Sequence, residues 1–449
     1  MKSTTIIQLL FSILTATAAH AASFVVWPGQ SLQSAIDAAA AGDNITVQTG
    51  TYNENIAITK GIDIRGTGGA VLVTGTLAVT NAALPVYLAD ITFGKSGASD
   101  ITFTGAGSQN VRMDRCKLVY GGSLSSTGTI AYFYKHQFDA SVTFTTSTWT
   151  FQRCTVAGGV RSTNSTGKCI ASTVTGGFNH SGATAGEITI FQSNLNENTE
   201  IVLPNAKQGW VAYSTLRYAS FGGGVLEIVG NVFNGRNYGS YTNVANTYMI
   251  YFYGGCAAVI RNNVISDDNA SYGNYGADAI RISGDAGLTR IFNNTILDVA
   301  RGINVQGSPA GVEIRGNIHG QVSNGQYTFS VSTGYAGTVI ANNNFQSSIG
   351  GGVQSNNTYV DPLFTTGPNG EYAWLDTTSL CRNAGTSDAL YNDIDGSRND
   401  QGAYGGHSYD PTGRTTLKPV VLSGDVSPLY VKRGGAVTIK ARAAVSAAP

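Results

Sequence analysis

A few charged side chains in the middle of the chain are of types that could do chemistry. Arg281 stands at the centre of the apolar triplet IRI, and Asp267, Asp268 and Asp278 lie on adjoining stretches. Positioned ionisable side chains of this kind can transfer protons or bind polar ligands. The alternative is an ordinary surface arginine that pairs with Asp278 or Asp285.

The apolar neighbours of Arg281 predict how its side chain is positioned. The stretches IYF at 250, IRI at 280, INV at 303 and FSV at 329 each place one residue between two apolar ones. Successive side chains of a strand point to opposite faces, so inward apolar residues leave the central residue outside. We therefore predict one outward stripe and, beside it, two tyrosines able to stack on a sugar ring. The stripe is Tyr251, Arg281, Asn304 and Ser330, and the flanking tyrosines are Tyr248 and Tyr253.

A second candidate lies in the segment YFYKH at 132–136, where Lys135 or His136 could act as acid or base beside aromatic side chains. Clusters of this kind also occur on ordinary surface loops. The carboxylates Asp393, Asp395 and Asp400 form another acidic group, of a type that could bind Ca²⁺. The repeat pattern has ended there, and we interpret the group as structural, as part of a segment that closes the solenoid.

A short sequence pattern recurs along the chain and predicts the strands and turns that must position these residues. This kernel consists of two or three polar or small residues, an apolar pair and a turn. Copies are RCKL at 115, RCTV at 153, ASTV at 171, QSNL at 192, YSTL at 213, VGNV at 229, RNNV at 261, NNTI at 293, RGNI at 315 and NNNF at 342. A constant kernel at uneven spacing indicates a solenoid whose turns carry loops of variable length. The second kernel position is predicted to stack into a structural ladder at a bend. It is occupied by Asn262, Asn294 and Asn343, with Gly230 and Gly316 at equivalent places.

Composition restricts the partners and the compartment. The 27 basic and 27 acidic residues balance, which argues against nucleic acid as a partner. Residues 1–21 contain an apolar stretch followed by the small-x-small pattern AHA, typical of a signal peptide, and we expect secretion without membrane insertion. Five scattered cysteines favour buried thiols, although one disulfide among Cys116, Cys154 and Cys169 stays open.

Both ends of the predicted solenoid differ from the repeats. Leu32, Ala35, Ile36 and Ala39 share one face at helical spacing and predict a short amphipathic helix that caps the first turn. We place the solenoid at residues 22–411. Residues 412–449 alternate like three strands and form a β-rich tail, similar to an incomplete immunoglobulin-like segment.

The segment SLQSAIDAA at 31–39, followed by GDNI at 42 and GTYNE at 50, resembles the N-terminal cap of the pectate-lyase-like right-handed parallel β-helix superfamily. With the repeats and the ending DIDG at 393 and GAY at 402, the resemblance covers roughly residues 24 to 406. It implies an all-β, right-handed parallel β-helix. The superfamily includes lyases, hydrolases, esterases, epimerases and non-catalytic surface proteins, so the fold alone does not select an activity.

The resemblance to the lyases of this superfamily implies an Arg or Lys base that removes the proton beside a uronic acid carboxylate, often next to Ca²⁺ held by acidic residues. On this sequence it assigns the base to Arg281, with Lys135 as the second candidate, and Ca²⁺ to Asp267, Asp268 and Asp278. The sugar contacts are then Tyr248, Tyr251, Tyr253 and Asn304. We expect a secreted monomer that acts on a polysaccharide by β-elimination, with a non-catalytic carbohydrate-binding or adhesive protein as the alternative.

Overall fold

The computed structural model describes most of the chain. The described residues are 21–67, 70–80, 85–94, 100–119, 121–234, 248–266, 278–297, 299, 301–320, 330–331, 337–345, 351–368, 370–371, 373–406, 409–410, 412–427 and 438–445. Residues 1–20 of the predicted signal peptide lie outside the described residues. Asp267 and Asp268, two of the predicted Ca²⁺ ligands, also lie outside them.

The chain forms a parallel β-solenoid, in which each strand pairs with the equivalent strand one turn later. This confirms the fold that the kernel and the family resemblance predicted. Three strands follow one another in each regular turn and stack into three columns. The first-column strands are Ile56–Ile58, Leu77–Thr80, Val142–Thr145, Val160–Thr163, Phe178–Ser181, Tyr248–Tyr253, Asp278–Ile282, Arg301–Val305 and Ser330–Val331.

The second column follows the first after a turn. Its strands are Ser23–Val26, Asn44–Val47, Asp63–Gly66, Val86–Ala89, Thr148–Gln152, Thr166–Ile170, Ile188–Phe191, Gln208–Ala212, Val225–Val229, Ala257–Arg261, Thr289–Phe292, Val312–Arg315, Thr338–Ala341 and Val353–Ser355. The third-column strands are Gly50–Tyr52, Val71–Val73, Thr92–Phe93, Lys117–Leu118, Gln137–Phe138, Thr155–Val156, Thr173–Val174, Val232–Asn234, Val264–Ser266, Thr295–Leu297 and Ile318–His319.

Four longer strands join two columns. Ile101–Asp114 and Leu124–Tyr134 run from the first column into the second, and Asn194–Val202 and Thr215–Gly222 run from the third column into the first column of the next turn. Alternation along the strands turns apolar side chains inward. They form one continuous core that reaches from Val26 to Phe345.

The bend between the second and third columns explains the kernel. The first residue of the bend has a left-handed backbone in successive turns, as at Gln192 (φ 48°), Asn262 (φ 57°) and Asn293 (φ 51°). The next residue is buried and stacks on its equivalents. This polar ladder consists of Ser172, Ser193, Ser214, Asn231, Asn263, Asn294, Asn317, Asn343 and Asn357, each of which accepts the backbone N–H of the ladder residue one turn before.

The ladder corrects the predicted alignment of the kernel at three copies. Asn262, together with Gly230 and Gly316, occupies the left-handed position rather than the ladder. Asn263 and its equivalents one residue later take the ladder position instead. Asn294 and Asn343 lie in the ladder as predicted.

The N-terminal cap is the predicted helix, which spans Leu32–Ala38. Ser31 caps it by accepting from the Ser34 N–H, and Glu54 accepts from the Leu32 N–H at 2.6 Å. Leu32 and Ile36 are buried against the first turn. The helix therefore covers the core that an open solenoid end would expose.

At the other end the chain closes the solenoid and turns back. Phe364–Thr365 and Trp374–Leu375 form an antiparallel pair, and Ala389–Tyr391 is a 3₁₀ turn. The return segment (residues 399–406, 409–410 and 412–416) then runs back over the bends. Asn262 Nδ2 donates to the Ala403 and Gly405 carbonyls, and Gln192 Nε2 donates to the Gly413 carbonyl at 2.7 Å.

The described part of the tail is an antiparallel pair of strands, Val420–Ser427 and Thr438–Ala444. Val420 and Ala444 pack against Trp210 and Tyr213 of the solenoid. All five cysteines are free and buried. The open alternative of one disulfide is therefore not realised, and the prediction of buried thiols is confirmed.

Candidate functional site

The predicted outward stripe follows the register of the first column. Tyr251 pairs with Arg281, Arg281 with Asn304, and Asn304 with Ser330. The same column continues toward the N-terminus through Ser220, Glu200, Asn179 and Arg161. We call these eight positions, Arg161 to Ser330, the outward column.

Three tyrosine rings lie along this column on the strand Tyr248–Tyr253. Ile250 and Phe252 are buried while Tyr248, Tyr251 and Tyr253 are half-buried. The ring centroids of Tyr248 and Tyr251 are 4.7 Å apart, and those of Tyr251 and Tyr253 are 5.3 Å apart and stacked. The three rings thus form one connected aromatic surface.

Tyr253 is held in place across two turns. Its ring lies over Gly222, where an added Cβ would come within 2.8 Å of the ring, so a side chain at 222 would displace the tyrosine. The Tyr253 hydroxyl donates to Glu200 Oε1 at 3.2 Å, and Asn179 Nδ2 donates to Glu200 Oε2 at 2.5 Å. Burial and the neighbouring Glu200 raise the pKa of Tyr253 well above its ordinary value, so its phenol stays protonated.

Arg281 forms a buried ion pair within the column. Its Nε lies 2.5 Å from Asp278 Oδ2, and the side chains are 9% and 0% exposed. Asn304 Nδ2 donates to the same oxygen at 3.1 Å, and the guanidinium carbon lies 5.6 Å from the Tyr248 ring centroid. Breaking such a pair leaves an uncompensated buried charge, so the geometry ties Arg281 to Asp278.

This pairing opposes two of the predicted roles. Arg281 was expected to project from the surface as a base, but its side chain is buried and its guanidinium is held by a carboxylate. Asp278 was expected to bind Ca²⁺, but its Oδ2 accepts hydrogen bonds from a cation and an amide, an environment that disfavours a second cation. Within the described residues, no three His, Cys, Asp or Glu side chains converge as a metal site.

Lys135 and His136 lie far from this group in the fold. Lys135 occupies the left-handed bend position (φ 49°) and is exposed, with its Nζ 5.4 Å from the Tyr134 ring centroid. His136 is buried against Phe133 and Phe138, and burial lowers its pKa to about 3. A neutral, enclosed imidazole cannot exchange protons with a substrate, so only Lys135 of this pair is accessible.

The sequence-based stripe missed the residues that continue the column toward the N-terminus. Glu200, Asn179 and Ser220 belong to it, and the hydrogen bond from the Tyr253 hydroxyl to Glu200 connects them to the tyrosines. Glu200 and Asn179 also line a surface cavity of about 330 Å³ together with Arg161. The signal was present in the segments FNHS at 178 and TEIV at 199, which have the same inward and outward alternation.

Several solved structures are similar to this chain in fold. One is tailspike protein 3 of bacteriophage CBA120, with 14% identity and a TM-score of 0.45 over 72% of this chain and 56% of that chain. Another is the PL6 family alginate lyase AlyGC, with 15% identity and a TM-score of 0.39 over 80% of this chain and 56% of that chain. Pectate lyase Pel9A has 14% identity and a TM-score of 0.29 over 85% of this chain and 96% of that chain.

The chain spans a little over half the length of the first two of these proteins. No family model and no curated protein matches the sequence. Among the described residues, no helix has the length and apolar character needed to cross a bilayer. The likeness to these structures is one of fold, and no activity follows from it.

Proposed function

We propose that the protein binds an extracellular polysaccharide along the outward column. The observation that carries this proposal is the connected surface of Tyr248, Tyr251 and Tyr253. Half-exposed aromatic rings pack against the C–H faces of sugar rings, and tyrosine hydroxyls add hydrogen bonds. Neighbouring turns extend the column in one direction, as a linear polymer requires.

The charges of the column support a glycan of low charge density. Within the column, Arg161 and Arg281 carry positive charge and Glu200 carries negative charge, and Asp278 beside the column neutralises Arg281. The column and Asp278 together therefore have no excess of either sign. Glu200, which accepts from the Tyr253 hydroxyl, supplies a carboxylate beside the rings, a group with which sugar hydroxyls pair. The predicted sugar contact Asn304 lies two strands from Tyr251 in the same column. We propose that the protein acts outside the cell, because residues 1–21 have the pattern of a signal peptide.

The test is the affinity of the full chain for a panel of soluble polysaccharides, measured by calorimetry. The panel contains a neutral glucan, a mannan, alginate and polygalacturonate. Tyr251→Ala is expected to weaken binding about tenfold, or about 1.4 kcal/mol. Tyr359→Ala is the matched control, because Tyr359 is 55% exposed and lies outside the column. Equal affinities for both variants and the wild type would contradict the proposal.

A second candidate function is cleavage of uronic acid glycans by β-elimination. It is favoured by one observation, the Arg281 guanidinium next to the Tyr248 ring. A sugar carboxylate that replaced Asp278 as the partner of Arg281 would meet a cation beside a phenol. A guanidinium does not lose its proton in proteins, so Arg281 would neutralise the sugar carboxylate rather than act as the base. The Tyr248 oxygen would take the proton beside that carboxylate and return it to the oxygen of the leaving sugar as the C–O bond breaks. Because the residues around Asp278 do not suit Ca²⁺, no step is assigned to that ion.

Cleavage is tested by the ultraviolet absorbance of the unsaturated sugar that β-elimination leaves on alginate and polygalacturonate. A lyase at this column would be established by a rise in absorbance that Arg281→Lys and Tyr248→Phe abolish and Lys135→Ala keeps. A rise in absorbance that is lost only in Lys135→Ala would mean that the catalytic site lies at the bend that contains Lys135. A flat trace with intact binding would establish a non-catalytic polysaccharide-binding protein.

A further inference from the structure

The closing segment contains a cavity of about 330 Å³ that shares no residue with the outward column. Its aromatic walls are Trp374, Tyr404 and Tyr409, and Leu375 lies among the residues lining it. Its polar lining consists of Arg382, Asp393, Asp395, Asp400 and Gln401. Cavities of this size are within the range that holds small ligands.

The aromatic walls are arranged as a corner. The ring centroids of Trp374 and Tyr404 are 4.8 Å apart with 36° between the planes, and those of Tyr404 and Tyr409 are 5.1 Å apart with 74° between the planes. All three side chains are half-buried, so part of each ring remains exposed. Aromatic surfaces of this kind suit a ligand with a flat apolar face.

The walls are fixed to the solenoid by hydrogen bonds on both sides of Tyr404. The Ala403 N–H donates to Thr295 Oγ1 at 2.9 Å, and Asn262 Nδ2 donates to the Ala403 carbonyl at 2.9 Å and to the Gly405 carbonyl at 2.7 Å. Trp374 is held separately by the antiparallel pair with Phe364–Thr365. A wall that is ordered beforehand loses less entropy when a ligand binds.

The carboxylates of the cavity are oriented by the backbone. Asp395 Oδ1 accepts from the Ser397 N–H at 2.9 Å, Asp400 Oδ1 accepts from the Asn383 N–H at 2.6 Å, and Asp393 accepts from the Asp400 N–H at 3.2 Å. A carboxylate has about four lone-pair sites, so each can also accept from a ligand hydroxyl. Three carboxylates against the single guanidinium of Arg382 disfavour an anionic ligand.

We propose that this cavity binds one uncharged pyranose residue, such as the end or a side branch of a glycan. The apolar face of the sugar packs on Trp374 and Tyr404, and its hydroxyls donate to Asp395 and Asp400. Uronic acids are excluded because their carboxylate would meet the acidic lining. The cavity does not depend on the proposed polysaccharide site along the outward column, since it is built from different residues.

The test is a titration of the full chain with methyl glucoside, methyl galactoside, methyl mannoside and galacturonate, followed by tryptophan fluorescence. At least one neutral glycoside is expected to change the emission in a saturable way, and galacturonate is not. Trp374→Phe removes the change, whereas Trp27→Phe is the matched control, because Trp27 is 57% exposed and lies outside the cavity. Tyr251→Ala also keeps the change in emission, which distinguishes this cavity from the site along the outward column.

Asp395→Asn is the second variant, since Asp395 is exposed and its described side-chain bonds are to Ser397 alone. This variant is expected to bind the neutral sugar with about tenfold lower affinity, measured by calorimetry, while the unfolding midpoint stays unchanged. The proposal is overturned if no neutral glycoside binds, if the response survives in Trp374→Phe, or if galacturonate binds equally well. A cation or a peptide that binds in place of the sugars would also overturn it.

Discussion

Buried ionisable side chains in the described part of this protein include an ion pair and a neutral histidine. Arg281 and Asp278 are the paired case, and their burial makes each depend on the other. His136 is the neutral case, because its neighbours Phe133 and Phe138 offer no charge to stabilise an imidazolium. Neither ring nitrogen of His136 has a hydrogen-bond partner among the described residues.

The lowered pKa of His136 predicts acid sensitivity. The unfolded chain takes up a proton as the pH falls below about 6.5, whereas the folded protein does so only near a pKa of about 3. Stability is therefore complete above the unfolded value and declines between these two values as the pH falls. At about pH 5 the loss attributable to His136 is about 2 kcal/mol of unfolding free energy.

His136→Phe is expected to remove this part of the pH dependence. At about pH 7.5 its unfolding free energy should equal or exceed that of the wild type, because no hydrogen bond is lost and the ring packs on two phenylalanines. Urea unfolding across the pH range measures both effects. Phe138→Leu is the control, expected to lower stability equally at every pH. An unchanged pH dependence in His136→Phe would contradict the assignment.

At the level of elements, the polar ladder stabilises the bends of the solenoid. Asn294 Nδ2 donates to the Ile260 carbonyl at 2.9 Å and to Asn317 Oδ1 at 2.9 Å, while its Oδ1 accepts from the Asn263 N–H at 3.0 Å. These groups are buried, so a lost partner leaves them unsatisfied. Such a loss costs more than the net contribution of a surface hydrogen bond.

Asn294→Ala is expected to lower the unfolding free energy by about 3 kcal/mol or more, because several buried groups lose their partner together. Asn294→Ser should cost less, since Ser193 and Ser214 occupy equivalent ladder positions with a hydroxyl acceptor. Urea unfolding compares the two with Asn205→Ala, whose residue is exposed on a turn. A loss in Asn294→Ala no larger than in Asn205→Ala would contradict the role of the ladder.

On the scale of the whole molecule, the return segment and the core hold the long solenoid together. Arg414 Nη2 donates to the Gly230 carbonyl at 2.9 Å, and Asp410 N–H donates to the Tyr213 hydroxyl at 3.1 Å. These contacts connect the C-terminal residues to turns in the middle of the chain. The core itself contains the thiols, whose pKa values are raised by burial, to about 12 for Cys116 and Cys154.

Thiol labelling without reductant is therefore expected to find no reactive cysteine in the folded protein and all five after denaturation. Burial prevents both access and ionisation, so the thiols persist even in an oxidising compartment. Ellman's reagent gives the count directly. Fewer than five thiols after denaturation would mean that a disulfide forms, and rapid labelling of the folded protein would mean that the core opens.

The sequence by itself determined the solenoid, the capping helix, the buried thiols and the outward register of Tyr251, Arg281 and Asn304. These follow from local alternation, helical spacing and a repeated kernel, which need no knowledge of distant contacts. Glu200 lies N-terminal to the four stretches that predict the stripe, although its own segment has the same alternation.

The tertiary structure alone decided how those side chains are used. Loops of variable length separate the turns, so the sequence does not show that Tyr253 lies over Gly222 and reaches Glu200. Burial likewise depends on the stacking of whole turns, which encloses Arg281 with Asp278 and makes His136 neutral. The cavity around Trp374 and Tyr404 arises only because the chain turns back over its own bends, a contact between residues more than a hundred positions apart in the case of Asn262 and Ala403.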